Sequence, residues 1–173
     1  GPCSFTSDTV DIIILPTPTI DSISNREVCN GTIVGPIDFT GVSATSFNWT
    51  NSNPAIGLGS SGTGSINFTA TNTSNSPISA LITVTPVNSS GGTNCEGTPI
   101  SFTIIVYPSA QVTTLSNIVL CNGAIVPSQV FTTLQSGGTT EYSWINSNNT
   151  IGLGDNGTGN LPEFTAINTT TAP

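Results

Sequence analysis

Residues Ile56–Gly64 read IGLGSSGTG, and residues Ile151–Gly159 read IGLGDNGTG. Taken once, this glycine density suggests a loop that cradles the phosphate of a nucleotide. A phosphate loop needs backbone N–H groups at a helix N-terminus, usually with a following lysine. Here there is no lysine, and the run leads into INFTATN, an alternating strand-like stretch. Because the run recurs within 173 residues, it reads as a structural element copied with its domain. Its glycines then serve positive φ or close backbone approach between strands.

Working outward, the copying extends well beyond the loop. CNGTIVGPIDFTG from Cys29 matches CNGAIVPSQVFTT from Cys121, and DIIILPTP from Asp11 matches TIIVYPSA from Thr103. Cys3 and Cys95 share this spacing of about 92 residues, the signature of a tandem array. The spacing widens where SGGTTEYSW is longer than its counterpart, as insertions in loops do. The domain reading is therefore the last strand of a preceding repeat (1–16), a complete repeat (17–108) and an incomplete following repeat (109–173). The third unit has no counterpart of Ile78–Thr85. We expect the window to belong to a longer array.

Composition sets the class. Arg26 is the single basic residue against nine acidic ones, with no histidine and a net charge of -8. Phosphate contacts rest on clustered Lys and Arg, so nucleic acid is not an expected partner. Charged residues make up 6% of the chain and hydrophobic ones 35%, enough to bury a core. Thr, Ser and Asn supply 69 of 173 residues, which favours strand surfaces and turns over helix interiors. No apolar run reaches the length of a membrane span, and VDIIILP lacks the flanks of a signal peptide.

Alternation supplies the strands. Ile100, Phe102, Ile104 and Val106 share one face, as do Ile78, Ala80, Ile82 and Val84. Phe47 and Trp49 alternate in FNWTN, answered by Tyr142 and Trp144 in YSWIN, and these four are the expected core aromatics. Ile37 with Phe39, a segment near Ile20, and Ile66–Ala70 complete about seven strands in one repeat. That is an all-β, immunoglobulin-like sandwich. Replacement of Ile37-Asp38 by Gln129-Val130 reverses the facing there unless a bulge absorbs it.

The order GPIDFTG, SFNWTNSNP, SALITVTPVN, then Cys and PISFTIIVYP resembles the PKD-type repeats of giant secreted surface proteins of Bacteroidota, the SprB-like gliding-motility adhesins. The resemblance spans the whole chain, although Trp49-Thr50-Asn51-Ser52-Asn53 stands where ordinary PKD domains carry Trp-Asp-Phe-Gly-Asp. It implies tandem β-sandwich repeats, type IX secretion, an extracellular place on the cell surface, and a part in adhesion, gliding motility or a surface filament. Asp8-Thr9-Val10 and Asp21-Ser22-Ile23 match the O-glycosylation pattern of that phylum, making Thr9 and Ser22 candidate sites.

Chemistry has little to work with. Without histidine or lysine there is no Ser-His-Asp, Cys-His or Lys-based arrangement. Glu27, Glu96, Glu141 and Glu163 have no repeated partner, and Asp155 alone offers too few oxygens for calcium. No enzyme activity, cofactor or metal is expected. Four cysteines without Cys-x-x-Cys point to disulfides in an oxidising compartment. One pairing joins Cys29 to Cys95 within a unit. The other joins the Cys29 position of one repeat to the Cys95 position of the next, which places the partners of both Cys29 and Cys95 outside the window; Cys3 and Cys121 have partners outside it in either case. The expected function is a stalk or adhesion repeat whose partners are neighbouring repeats, surface polysaccharide or other copies in a fibre. The alternatives are a direct carbohydrate-binding module and spacer repeats of a secreted glycan-degrading enzyme.

Overall fold

The structure, a computed structural model, describes residues 8–171. It is almost entirely β, with two three-residue 3-10 turns as its helical content among the described residues. The chain divides into two compact units, residues 1–72 with 78–106, and residues 73–77 with 107–173.

The first unit carries eight strands: β1 (Arg26–Cys29), β2 (Ile33–Ile37), β3 (Ser46–Asn51), β4 (Ser61–Thr63), β5 (Ile66–Thr69), β6 (Ile78–Ser90), β7 (Thr93–Glu96) and β8 (Ile100–Tyr107). One sheet has the order β1-β8-β6-β3-β4, with β7 also paired to β6, and β2 pairs β5 in a second sheet. The alternation seen in the sequence sets the packing. Ala80, Ile82 and Val84 of β6 and Phe102, Ile104 and Val106 of β8 turn inward and meet Val34 and Ile37 of β2 and Ile66 of β5 in one buried cluster. Strand β6 and β8 are held in register from Ile78↔Val106 to Val84↔Ile100.

Three details differ from the sequence reading. No strand forms near Ile20; that segment is extended and bonded to residues 40–42, through Thr19 N–H to Val42 O (2.9 Å) and Asp21 N–H to Thr40 O (2.8 Å). The first strand lies instead at Arg26–Cys29. Phe39 falls beyond β2, where it is half-buried against Phe47 with ring centroids 5.8 Å apart. β6 runs five residues past Thr85, because Gly91 and Gly92 both have positive φ (57° and 83°) and so close a tight hairpin onto β7.

The second unit repeats part of this plan with β9 (Ile125–Val126), β10 (Ser143–Ile145), β11 (Asn156–Thr158) and β12 (Phe164–Thr165). Trp144↔Gly157 reproduces Trp49↔Gly62, and Val126↔Phe164 reproduces Val34↔Phe68. Gln129 bridges Leu161 as Ile37 pairs with Ile66. The facing is therefore kept at this point: Gln129 takes the inward position and Val130 is exposed. The flanking Val126–Phe164 pair fixes the register, and the amide of Gln129 is satisfied by Pro127 O (2.8 Å) and Ser128 O (3.2 Å).

Candidate functional site

The repeated glycine run is built as a bracket for a tryptophan. A 3-10 turn at Pro54–Ile56 follows Asn53, whose side chain accepts from Ala55 N–H, and ends on Gly57 in the left-handed region (φ 96°). Asn51, buried at the end of β3, donates its amide to Leu58 O (2.9 Å) and Gly59 O (3.2 Å) and accepts from Asn53 N–H (3.0 Å). This pins the loop to the strand that carries Trp49. At Gly62, a Cβ would stand 2.2 Å from Cζ2 of the indole, so the ring lies flat against bare backbone.

The second unit has the same parts. Asn146 donates to Leu153 O (3.0 Å), Asn148 caps the turn through Thr150 N–H (3.2 Å), Gly152 has φ 98°, and a Cβ on Gly157 would lie 2.4 Å from Cζ2 of Trp144. A further pair recurs: Asn30 Oδ1 accepts from Asn72 N–H, and Asn122 Oδ1 from Asn168 N–H, both at 2.8 Å. The Nε1 of each tryptophan is buried without a hydrogen-bond partner, so even this unfavourable feature is copied. These asparagines were not singled out by sequence reasoning. The signal was present in NWTNSN against SWINSN, but an Asn-rich chain hides it.

The arrangement offers nothing to a phosphate. Within the loop Gly57 N–H is bonded to Pro54 O (3.0 Å), and Ser60 O accepts from Asn51 N–H (2.8 Å). A three-residue turn also has no appreciable dipole to lend. Among the described residues no three Asp, Glu or Cys side chains gather where a metal could sit, and no helix is long and apolar enough to cross a membrane.

The four expected core aromatics divide. Trp49 is buried and Phe47 packs half-buried against the core, whereas Tyr142 and Trp144 remain partly exposed. Tyr142 rests on Phe131 at 5.7 Å. Among the described residues of the second unit, no strand covers this face as β6 and β8 do in the first. Its inward face is instead an open apolar groove of about 610 Å³, lined by Leu120, Val126, Leu153, Leu161, Phe164 and Ala166 among others.

Cys29, Cys95 and Cys121 are unbonded, and Cys3 lies outside the described residues. The pairing of Cys29 with Cys95 is corrected on geometry. Cys95 stands opposite Asn88 on β6. Cys29 closes β1 at the other end, beside Asn30, which reaches Val106 through Asn72. Val106 pairs with Ile78, ten residues along β6 from Asn88, or about 33 Å. A disulfide needs Cα atoms within about 7 Å. The candidate glycosylation sites Thr9 and Ser22 are both exposed.

Comparison with known proteins gives no matching family model, no matching curated protein and no matching solved structure.

Proposed function

We propose that the chain is a run of length-bearing β-sandwich repeats, the stalk of a very large secreted adhesin at the cell surface that serves attachment or gliding. One observation carries this reading. The chain enters the first unit at the Asn88 end of the sheet, where Asn88 Nδ2 donates to Pro16 O (3.0 Å) and Pro18 is buried. It leaves through Tyr107, at the opposite end of the long β6–β8 pair. A unit that admits its chain at one end and releases it at the other advances the chain by its own length. For the thirteen residues of β6 this is on the order of 40 Å.

The resemblance to gliding-motility adhesin repeats supplies the cell-surface setting and type IX export. The test is an in-frame deletion of residues 17–108 in the native gene. Electron microscopy of the surface fibre should show a loss of about one domain length, with adhesion or movement retained. Loss of adhesion after removal of this one repeat, with the protein still displayed, would support direct glycan binding and reject the stalk.

A further inference from the structure

The first and last strands of the first unit are neighbours in its larger sheet, β1 beside β8. Their relative direction follows from the side chains that flank β1. Asn25, just before it, accepts at Oδ1 from Thr103 N–H of β8 (2.8 Å). Asn30, just after it, accepts at Oδ1 from Asn72 N–H, and Asn72 Nδ2 donates to Val106 O, both at 2.8 Å. Position 25 thus stands beside 103 and position 30 near 106, so β1 and β8 run the same way.

That direction decides how the unit carries a load. The chain reaches β1 from the Asn88 end of the sheet and leaves β8 at Tyr107, at the other end. Tension along the chain therefore draws β1 back by its N-terminus and β8 forward by its C-terminus, and the two strands must slide past each other. Bonds between sliding strands are loaded together. Strands peeled from one end load their bonds singly, and a single hydrogen bond contributes little net free energy. On its other side β8 is held by β6, in register from Ile78↔Val106 to Val84↔Ile100. The entry segment is seated in the same manner. Thr19 N–H donates to Val42 O (2.9 Å) and Asp21 N–H to Thr40 O (2.8 Å), while Val42 N–H donates to Thr19 Oγ1 (3.1 Å). A Cβ on Gly41 would stand 1.9 Å from Thr19 O, and one on Gly97 would stand 1.9 Å from Pro18 O, so residues 18 and 19 lie flush on bare backbone.

From these facts we infer that β1 and β8, with the seam at residues 16–21, form a shear clamp that makes the first unit resist opening when it is pulled along the chain. Asn25 is the side chain that locks the two strands at the start of their overlap, and Asn72 ties the far end through Asn30 and Val106. The clamp follows from strand order and direction within residues 17–107; that tension acts on it in use rests on the stalk reading.

The test is single-molecule force spectroscopy on the 173-residue chain carrying Cys3→Ser, Cys95→Ser and Cys121→Ser. One geometry attaches the handles at the two chain termini. The other attaches one at Cys29, which is exposed, and one at the C-terminus, so that β8 peels from its Tyr107 end. End-to-end pulling should show an event that lengthens the molecule by about 300 Å, the extended span of residues 17–107 less the folded unit. Forced unfolding reads the barrier rather than the equilibrium, and the end-to-end force should be about twice the peeling force or more. Asn25→Ala should lower the end-to-end force and leave the peeling force unchanged. Asn25→Asp, which keeps the accepting oxygen, should retain the end-to-end force. Equal forces in the two geometries overturn the clamp, and so does a loss in Asn25→Ala that is the same in both, which would make Asn25 merely structural. Either result leaves the stalk reading to the deletion of residues 17–108, which is read on the cell.

Discussion

At Gly62 the indole of Trp49 leaves no room for a methyl group, with a would-be Cβ only 2.2 Å from the ring. Gly59, three residues earlier, meets nothing closer than 3.9 Å and has no positive φ. The two glycines therefore answer substitution differently although they share one motif. Gly62→Ala must push the ring off β4 and should cost about 1–3 kcal/mol through overpacking. Gly59→Ala should be neutral or stabilise by up to about 1 kcal/mol by restricting the unfolded chain. Denaturant unfolding followed by tryptophan fluorescence separates these outcomes, and equal effects would mean that the loop does not clasp the ring. The cysteines give a second expectation at this scale. Because about 33 Å of β6 lies between the ends that hold Cys29 and Cys95, mild oxidation of the folded monomer should give no peptide joining them by mass spectrometry. Such a peptide would require a different sheet register.

Alternation along β6 is the element on which the sandwich turns. Ile82 is 0% exposed at the centre of the core and Leu81 is 50% exposed on the other face. Ile82→Ala should cost about 2–5 kcal/mol as a core truncation, and Leu81→Ala should stay within about 0.5 kcal/mol. Urea midpoints measured on both variants check the facing; a reversed order would place the core on the wrong side. This face was legible in the sequence because β-strand period and burial coincide over a long segment, as they do again in β8. The shorter elements were not. Apolar Ile20 marks a segment that bonds across to Thr40 and Val42 without entering a ladder. β1 is announced only by Arg-Glu-Val-Cys, whose single apolar inward residue gives no period. The glycine loop was legible as structural, but its dependence on Asn51 and Asn146 is a matter of side-chain to backbone bonding, and the repeated NWTNSN and SWINSN that mark it are hidden in so Asn-rich a chain. The open face of the second unit was legible in part, since residues 109–173 carry no counterpart of Ile78–Thr85.

Among the described residues the two units differ in how much of the shared plan is present. The first closes a core of thirteen buried hydrophobic residues, while in the second Leu153 is the buried hydrophobic among the described residues. Neither should lean on a bound cation. Asp21, the carboxylate nearest in sequence to the Pro16–Pro18 junction, accepts from Thr40 Oγ1 at 2.6 Å, and calcium wants six or more oxygens. Excess chelator should leave the thermal midpoint unchanged, and a fall of several degrees would reveal a site. Stability should instead track closure of the core. Local opening energies run from near zero, in parts with few buried contacts, up to the global value in core strands. Amides of Ile100–Tyr107, central in a ladder and backed by the sealed core, belong to the second kind. Those of Ser143–Ile145, in a three-residue strand paired on one side, belong to the first. Hydrogen exchange under conditions where the chain is monomeric should therefore be slower in β8 than in β10 by about a hundredfold or more. Equal protection in the free monomer would show that the second unit holds together without the strands that close the first.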